Sequence, residues 1–159
     1  MSDNTMNELR CIAAEIERDL DLSAKEIEEL TAPCGLPCFT CYSYLASKND
    51  ALKPLIAKVL GVSEDKTECP GCRAVDGKCP HLPMPCRVYP CVENKNIHNC
   101  TQCDDFPCDF LHPYADKAFV WHNTKVFHLC LIKKMGLEKW AKEKAAKVRD
   151  RYSFEEWRL

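Results

Sequence analysis

Eleven cysteines lie between residues 34 and 108, in groups whose members are only a few residues apart. Sulfur atoms at this spacing can reach one metal ion from a short loop, without a large apolar core to hold them in place. Each of these cysteines is therefore a candidate metal ligand. They are Cys34, Cys38, Cys41, Cys69, Cys72, Cys79, Cys86, Cys91, Cys100, Cys103 and Cys108.

Prolines are concentrated in the same part of the chain, on both sides of the cysteine groups. Proline fixes φ and donates no backbone hydrogen bond, so residues 69–113 are not expected to form a hydrogen-bonded sheet. A loop of this length without its own secondary structure needs another source of order. We expect bound metal to supply that order.

Disulfides are the competing interpretation, because 13 cysteines in 159 residues approach the content of a secreted, disulfide-stabilised domain. Three features favour metal-bound thiolates instead. Residues 1–10 are polar and lack the apolar segment of a signal peptide, the number of cysteines is odd, and the residues before Cys34 follow the pattern of amphipathic helices. Together these features predict a cytoplasmic protein.

Helical patterns precede the first cysteine group. Thr5 and Glu8 match a capping box, and the apolar residues that follow recur at helical spacing, which predicts a helix over about 6–19. Ser23 and Glu26 match a second capping box. That pattern predicts a short second helix just before the cysteines.

Further helices are predicted after the first cysteine group. An apolar stripe that follows Tyr42 ends at Gly61, a residue type favoured at helix C-termini. Near the end of the chain, apolar residues recur at helical spacing on both sides of Gly136. We predict a mainly α, small single domain with irregular cysteine-rich metal-bound loops between N- and C-terminal helices. Its segments are 1–30, 31–113 and 114–159.

Charge is distributed unevenly, although the formal net charge is only −2. Residues 1–30 carry nine acids and three bases, whereas residues 133–151 carry eight bases and three acids. The negative total argues against a nucleic-acid partner, and the two ends can serve as electrostatic counterparts of each other.

No apolar stretch approaches 18 residues, so no membrane segment is expected. An unidentified protein partner remains open.

Short spacing motifs identify the strongest ligands. Residues 69–72, Cys-Pro-Gly-Cys, have the form of a zinc knuckle, in which two thiolates grip one ion while glycine turns backbone N–H groups toward sulfur. Residues 100–103 repeat the C-x2-C spacing, and residues 34–41 could supply three ligands of one site. Two such pairs beside other clustered cysteines predict metal binding more strongly than either pair alone.

The number of ligands leaves the number of sites open. Three tetrahedral sites require twelve ligands, one more than the grouped cysteines provide. His81, His98 and His112 each lie within four residues of a grouped cysteine and are candidates for the twelfth, the alternative being an exposed turn histidine. Two four-cysteine sites with three spare thiols is the competing count. Cys11 and Cys130 lie on predicted apolar helix faces, where we expect small core residues.

The cysteine spacing does not distinguish between metals, because zinc and a [4Fe-4S] cluster both take four cysteines. Proline and glycine between paired cysteines favour zinc, while prolines next to cysteines also occur around ferredoxin clusters. A dithiol redox function would need a βαβ context that the pattern lacks. No nucleophile is marked by its neighbours and no glycine-rich phosphate loop is present, so the sequence predicts no catalytic residue and gives little support for an enzyme.

The order of the cysteine motifs is similar to that of a known family. The motifs are Ala32-Pro33-Cys34-Gly35-Leu36 with Cys38 and Cys41, Cys69-x-Gly71-Cys72-Arg73, Cys86-Arg87-x3-Cys91, Cys100-x2-Cys103-x2-Phe106-Pro107-Cys108 and the later Met135-Gly136-Leu137-Glu138-Lys139-Trp140. Through these motifs, residues 31–142 resemble the domain-of-unknown-function 3795 family, which comprises small cysteine-rich proteins of bacteria and archaea. The resemblance implies a soluble prokaryotic protein that binds metal and has no established activity.

These observations predict a metal-binding protein of unknown biological role. Thiolate-bound ions, with zinc favoured, would order loops that present a surface to a partner. The alternative is an iron-sulfur protein in electron transfer or in redox or oxygen sensing. A third hypothesis is an enzyme with an open metal position, for which a histidine or carboxylate beside an incomplete cysteine set is expected.

Overall fold

The computed structural model describes residues 3–82, 84–118 and 120–154. Over these ranges the chain is mainly helical and has no β-strand, apart from an isolated antiparallel bridge between Thr31 and Pro37. The predicted mainly α class is confirmed, whereas the metal-bound state of the loops remains a prediction. The outermost residues of the predicted domain, 1–2 and 155–159, lie outside the described residues.

Eight α-helices occur in the described part of the chain. They are α1 (Asp3–Asp19), α2 (Ala24–Glu29), α3 (Tyr42–Leu45), α4 (Leu52–Leu60), α5 (Val88–Lys95), α6 (Lys125–Met135), α7 (Leu137–Trp140) and α8 (Ala146–Phe154). A π-helical turn, Ala141–Ala145, joins α7 to α8. Short 3-10 turns lie at Cys38–Thr40, Glu64–Lys66, Cys100–Gln102, Asp109–Leu111, Ala115–Lys117 and Trp121–Thr124.

The two predicted capping boxes have different outcomes. The second is confirmed, because the Glu26 backbone N–H donates to Ser23 Oγ over 3.3 Å and the Ser23 backbone N–H donates to Glu26 Oε2 over 2.9 Å. The first is wrong, because α1 already begins at Asp3 and Thr5 lies inside its first turn. The buried Thr5 hydroxyl instead accepts a hydrogen bond from Lys58 Nζ on α4, over 3.0 Å.

Helix α5 lies inside the region that was predicted to be irregular. Its proline, Pro90, occupies the first turn, where backbone N–H groups have no partner within the helix in any case. Asn96 ends the helix in the left-handed conformation, with φ of 51°. The proline content of the loops is therefore compatible with one helix that carries Cys91.

The described residues pack into three apolar clusters. One joins α1 to α3 and α4, and a second joins α2 to α6 and α7 around Trp140. The third packs the cysteine loops against α5 and α6, and it includes two of the cysteines themselves. Its buried members are Ala32, Cys34, Leu36, Val88, Val92, Cys100, Leu111 and Leu129.

An internal ion pair joins the acidic and basic ends of the chain. Arg149 on α8 is only 1% exposed, and its guanidinium donates to Glu17 of α1 over 2.5 Å, to the Thr40 carbonyl over 2.7 Å and to Asp150 over 2.7 Å. Burial raises the pKa of Glu17, and the Arg149 charge opposes that effect. At least one base of the C-terminal region therefore has its counterpart inside the molecule.

The two cysteines that were predicted to lie in the core are on the surface. Cys11 and Cys130 are both exposed, so the expectation that they fill the core is wrong. Leu9 and Ala13 face the core from α1, and Cys11 is two residues from each, which places it on the opposite side of the helix. On α6 the neighbouring Leu129 is the buried residue. Among the described helices, none has the length and apolar content needed to cross a bilayer.

Candidate metal centre

The first cysteine loop is seated tightly on α6. Between Thr31 and Pro37 the chain turns back on itself, with the Ala32 N–H donating to the Leu36 carbonyl over 2.9 Å. Gly35 has φ of +85°, and a Cβ atom there would lie 2.6 Å from Leu129 Cγ. Only glycine fits this turn, because both the left-handed backbone and the close approach exclude a side chain.

Seven cysteines that are distant in sequence lie near one another in a group, the seven-cysteine cluster, whose members are buried or half-buried. Its members are Cys34, Cys38, Cys41, Cys69, Cys72, Cys79 and Cys86. All thirteen cysteines of the chain are free thiols, so no disulfide holds this group together. The cluster therefore combines cysteines from three separate segments of the chain.

Burial raises the pKa of several of these thiols. Burial, with a smaller contribution from charge on Cys86, raises the pKa of Cys34 to about 11. Burial likewise raises the pKa of Cys41 to about 11, with added contributions from charge on Cys69 and Cys79. Several thiolates can be buried together only when a cation compensates them.

Backbone N–H groups are aimed at the sulfurs of this cluster. At four cysteines, the N–H two residues further on lowers the thiol pKa against the dominant effect of burial. The four pairs are Cys34 with Leu36, Cys41 with Ser43, Cys69 with Gly71, and Cys79 with His81. In addition, the Cys72 N–H donates to Cys38 Sγ and the Tyr89 N–H donates to Cys86 Sγ, each over 3.4 Å.

The remaining grouped cysteines form a second group, the four-cysteine cluster of Cys91, Cys100, Cys103 and Cys108. All four line a half-open cavity of about 300 Å³ between α5 and the loop that follows it. Burial raises the pKa of Cys100 to about 12, with contributions from charge on Cys34 and on the other three members of the cluster. Lys95 Nζ donates to Cys103 Sγ over 3.2 Å and pairs with Asp105 over 2.5 Å.

The donor set fits a thiophilic metal, although the side chains are not yet at coordination geometry. Within residues 3–82, 84–118 and 120–154, no three His, Cys, Asp or Glu side chains stand at the mutual spacing that holds one ion. Closing a site therefore requires rotation of thiol side chains inside the clusters. Thiolate donors with backbone N–H groups directed at sulfur are the arrangement that zinc and iron-sulfur centres use.

The three candidate histidines differ in their surroundings. The His98 ring is engaged, since its Nδ1 lies 3.4 Å from both Arg73 Nη2 and Asn99 Nδ2, and its Nε2 lies 3.7 Å from Glu28 Oε1. His112 is exposed, with Nδ1 2.8 Å from the Pro113 carbonyl oxygen. His81 Nε2, by contrast, is buried and has no hydrogen-bond partner among the described residues.

A lysine that sequence reasoning missed lies beside the seven-cysteine cluster. Lys125 on α6 is 3% exposed, and its positive charge lowers the pKa of Cys34 against burial. Its Nζ donates to the His112 carbonyl over 3.3 Å and lies 4.5 Å from the centre of the Tyr114 ring. The available signal was helical spacing, because Lys125 precedes the buried Leu129 by four residues and shares its face.

Comparison with known proteins gives one match. A family model described as a protein of unknown function, DUF3795, matches residues 30–113, which is more than half of the chain and contains every grouped cysteine. The resemblance drawn from the cysteine motifs is confirmed. No curated protein and no solved structure matches the chain.

Proposed function

Because the chain belongs to the DUF3795 family, whose function is unknown, we propose a function from its own side chains. It is a metal-binding protein in which buried thiolates hold ions that order the cysteine-rich loops. The ligands are the eleven cysteines of the seven-cysteine and four-cysteine clusters. The protein works in a reducing, cytoplasmic compartment, where thiols stay available to metal.

The convergence of seven cysteines is the observation that carries this proposal. Cysteines from residues 34 to 86 come together, buried or half-buried, although no disulfide joins them. For packing alone, leucine or valine would fill this space better than seven thiols. The backbone N–H groups directed at four of the sulfurs favour the thiolate form, which is the form that binds metal.

Zinc is the ion we favour for the seven-cysteine cluster. Proline and glycine in residues 69–72 build the knuckle typical of zinc sites, and Gly71 has φ of +106°, which lets its N–H approach Cys69. Zinc has no redox chemistry, so this role is structural: the ion would fix loops that are short of other secondary structure. No catalytic residue is proposed.

An iron-sulfur centre is the second candidate, and the four-cysteine cluster favours it. Four thiolates on a single zinc ion lie about 2.3 Å from the metal and leave no space between them. The cavity that these cysteines line measures about 300 Å³, which has room for a larger inorganic group. Lys95, which donates to Cys103 Sγ, would help to neutralise the charge of such a group.

A protein partner fits the surface of the loops better than a nucleic acid does. Met84 and Phe110, on the cysteine-rich segment, are 44% and 37% exposed and are available for apolar contact with a protein. The formal net charge of −2 and the internal pairing of Arg149 reduce the basic surface that phosphate binding requires.

Metal analysis of protein purified without oxygen tests the proposal. We expect bound zinc, or iron with broad visible absorption and inorganic sulfide, at two or more ions per chain. The double variant C69S/C72S should lose metal from the seven-cysteine cluster, and C100S/C103S from the four-cysteine cluster. C11S/C130S, which removes the two exposed thiols, is the matched control and should keep the full content. Equal metal content in all four proteins, or none in any of them, would refute the proposal.

A further inference from the structure

We infer that His81 is the eighth ligand of the seven-cysteine cluster, and that it shares one ion with Cys41, Cys69 and Cys79. The other four thiols of the cluster then form an all-cysteine site. This inference rests on the proposed metal-binding function and assigns the ligands of its two ions.

The number of donors creates the need for a non-sulfur ligand. Two separate tetrahedral ions take eight ligands, and the cluster holds seven thiols. The four-cysteine cluster is complete in itself, with all of its thiols on one cavity. The missing donor therefore belongs to the seven-cysteine cluster, and a neutral histidine nitrogen is the usual partner of three thiolates at zinc.

His81 presents a nitrogen of the required kind. Its Nε2 is shielded from solvent and has no hydrogen-bond partner within the described residues, which is unfavourable for a polar atom unless something binds there. The backbone of Thr67 lies against the ring, where a backbone carbonyl can fix the orientation of a ligating imidazole.

The position of His81 selects three of the seven thiols. It follows Cys79 by two residues, and its own backbone N–H acts on the Cys79 sulfur. Thr67, which holds the ring, precedes Cys69 by two residues. The Cys69 N–H donates to the Ser43 carbonyl over 3.0 Å, which fixes this loop beside Cys41.

A direct contact assigns two of the remaining thiols to the other site. The Cys72 N–H donates to Cys38 Sγ over 3.4 Å, so these two cysteines lie side by side in the cluster. The all-cysteine site consists of Cys34, Cys38, Cys72 and Cys86.

His122 is the competing histidine. Its Nδ1 is also buried without a hydrogen-bond partner among the described residues, and its ring lies near that of His81. However, His122 follows the last grouped cysteine, Cys108, by fourteen residues, whereas His81 follows Cys79 by two. His128, the third histidine with an unpartnered nitrogen, accepts a hydrogen bond from Trp140 over 3.1 Å through its other ring nitrogen and is not close in sequence to any grouped cysteine.

Cobalt titration of metal-free protein tests the assignment. Thiolate-to-cobalt charge-transfer absorption reports the number of sulfur ligands, and competition with a chromophoric chelator gives the zinc affinity. H81A should weaken one zinc equivalent by at least about 100-fold, since even residues that only support a metal ligand are worth 10- to 100-fold. H81C should restore binding and add charge-transfer intensity, because sulfur replaces nitrogen. H112A, at the exposed histidine, is the control and should match the unsubstituted protein.

The possible results distinguish failure of the His81 assignment from failure of the proposed metal-binding function. If the unsubstituted protein binds neither cobalt nor zinc at the cluster, the proposed function fails and the inference fails with it. If it binds both ions and H81A binds them equally well with an unchanged spectrum, only the His81 assignment fails. Loss of one ion in H122A but not in H81A also overturns the assignment. Should H81A misfold, the gain of charge-transfer intensity in H81C decides.

Discussion

Lys125 carries a positive charge into the interior of the molecule. Its side chain is 3% exposed, and it contacts neutral groups, the His112 carbonyl and the Tyr114 ring. Among the described residues, no carboxylate pairs with it, and a buried charge without compensation is strongly unfavourable. Ionised, metal-bound thiols at the proposed Cys34 site would supply the compensation. We therefore expect Lys125 to balance charge at that site.

Substitution of Lys125 tests this role. K125M removes the charge while keeping an unbranched apolar stem, and it should weaken zinc binding at the seven-cysteine cluster by about 10- to 100-fold, the usual effect of losing a group that supports metal ligands. Zinc affinity is measured by competition with a chelator. K134M, at an exposed lysine of the same helix, should leave the affinity unchanged. If K125M binds zinc as tightly as K134M does, the thiols at Cys34 do not depend on this charge.

At the scale of single residues, some features of the site could be predicted from the sequence and others could not. The grouped cysteines are recognisable from spacing alone, because chelation imposes short intervals along the chain. Helical spacing places Lys125 on the face of Leu129, but its relation to the cysteines is not recognisable, since it depends on how α6 packs against distant loops. Cys11 and Cys130 were misplaced for a related reason: an apolar neighbourhood in sequence does not say which side of a helix faces the core.

At the scale of elements, local signals were sufficient for most helices. The apolar stripe of α1, the Ser23–Glu26 box of α2 and Gly61 at the end of α4 are all visible in the sequence, and each is present in the structure. Helix α5 was missed because the whole proline-rich segment was expected to be irregular, although Pro90, in the first turn, removes no internal hydrogen bond. Which loops meet could not be predicted, because their contacts join residues far apart in sequence.

The turn at Gly35 provides a prediction for the first cysteine loop. G35A should destabilise the protein by about 2–4 kcal/mol, because it combines a strained left-handed backbone with a Cβ atom 2.6 Å from Leu129 Cγ. G61A has a similar φ of +67° but no atom within 4 Å of the added Cβ, so it should cost only about 1 kcal/mol. Urea denaturation at fixed metal concentration measures both. Equal losses in the two variants would show that the loop yields to the added methyl group.

At the scale of the whole molecule, the chain combines two kinds of order. Leu9, Leu45, Leu52 and Ile56 hold α1, α3 and α4 together through ordinary apolar packing. The loops over residues 67–87 and 97–113 bury fewer apolar groups and consist largely of turns and single 3-10 turns. Two of their contributions to the core are Cys100 and Leu111, one of which is itself a proposed ligand. We expect metal to supply the remaining order of these loops.

Hydrogen exchange with and without a strong chelator tests this central claim most directly. In reduced protein kept free of oxygen, we predict that metal removal sharply increases exchange in residues 31–41, 67–87 and 97–113, while α1 and α4 keep most of their protection because their core contains no proposed ligand. Restoring zinc or iron with sulfide should restore protection. Unchanged exchange in the three loops after verified metal removal would contradict the account, since the loops would then be ordered without the ions.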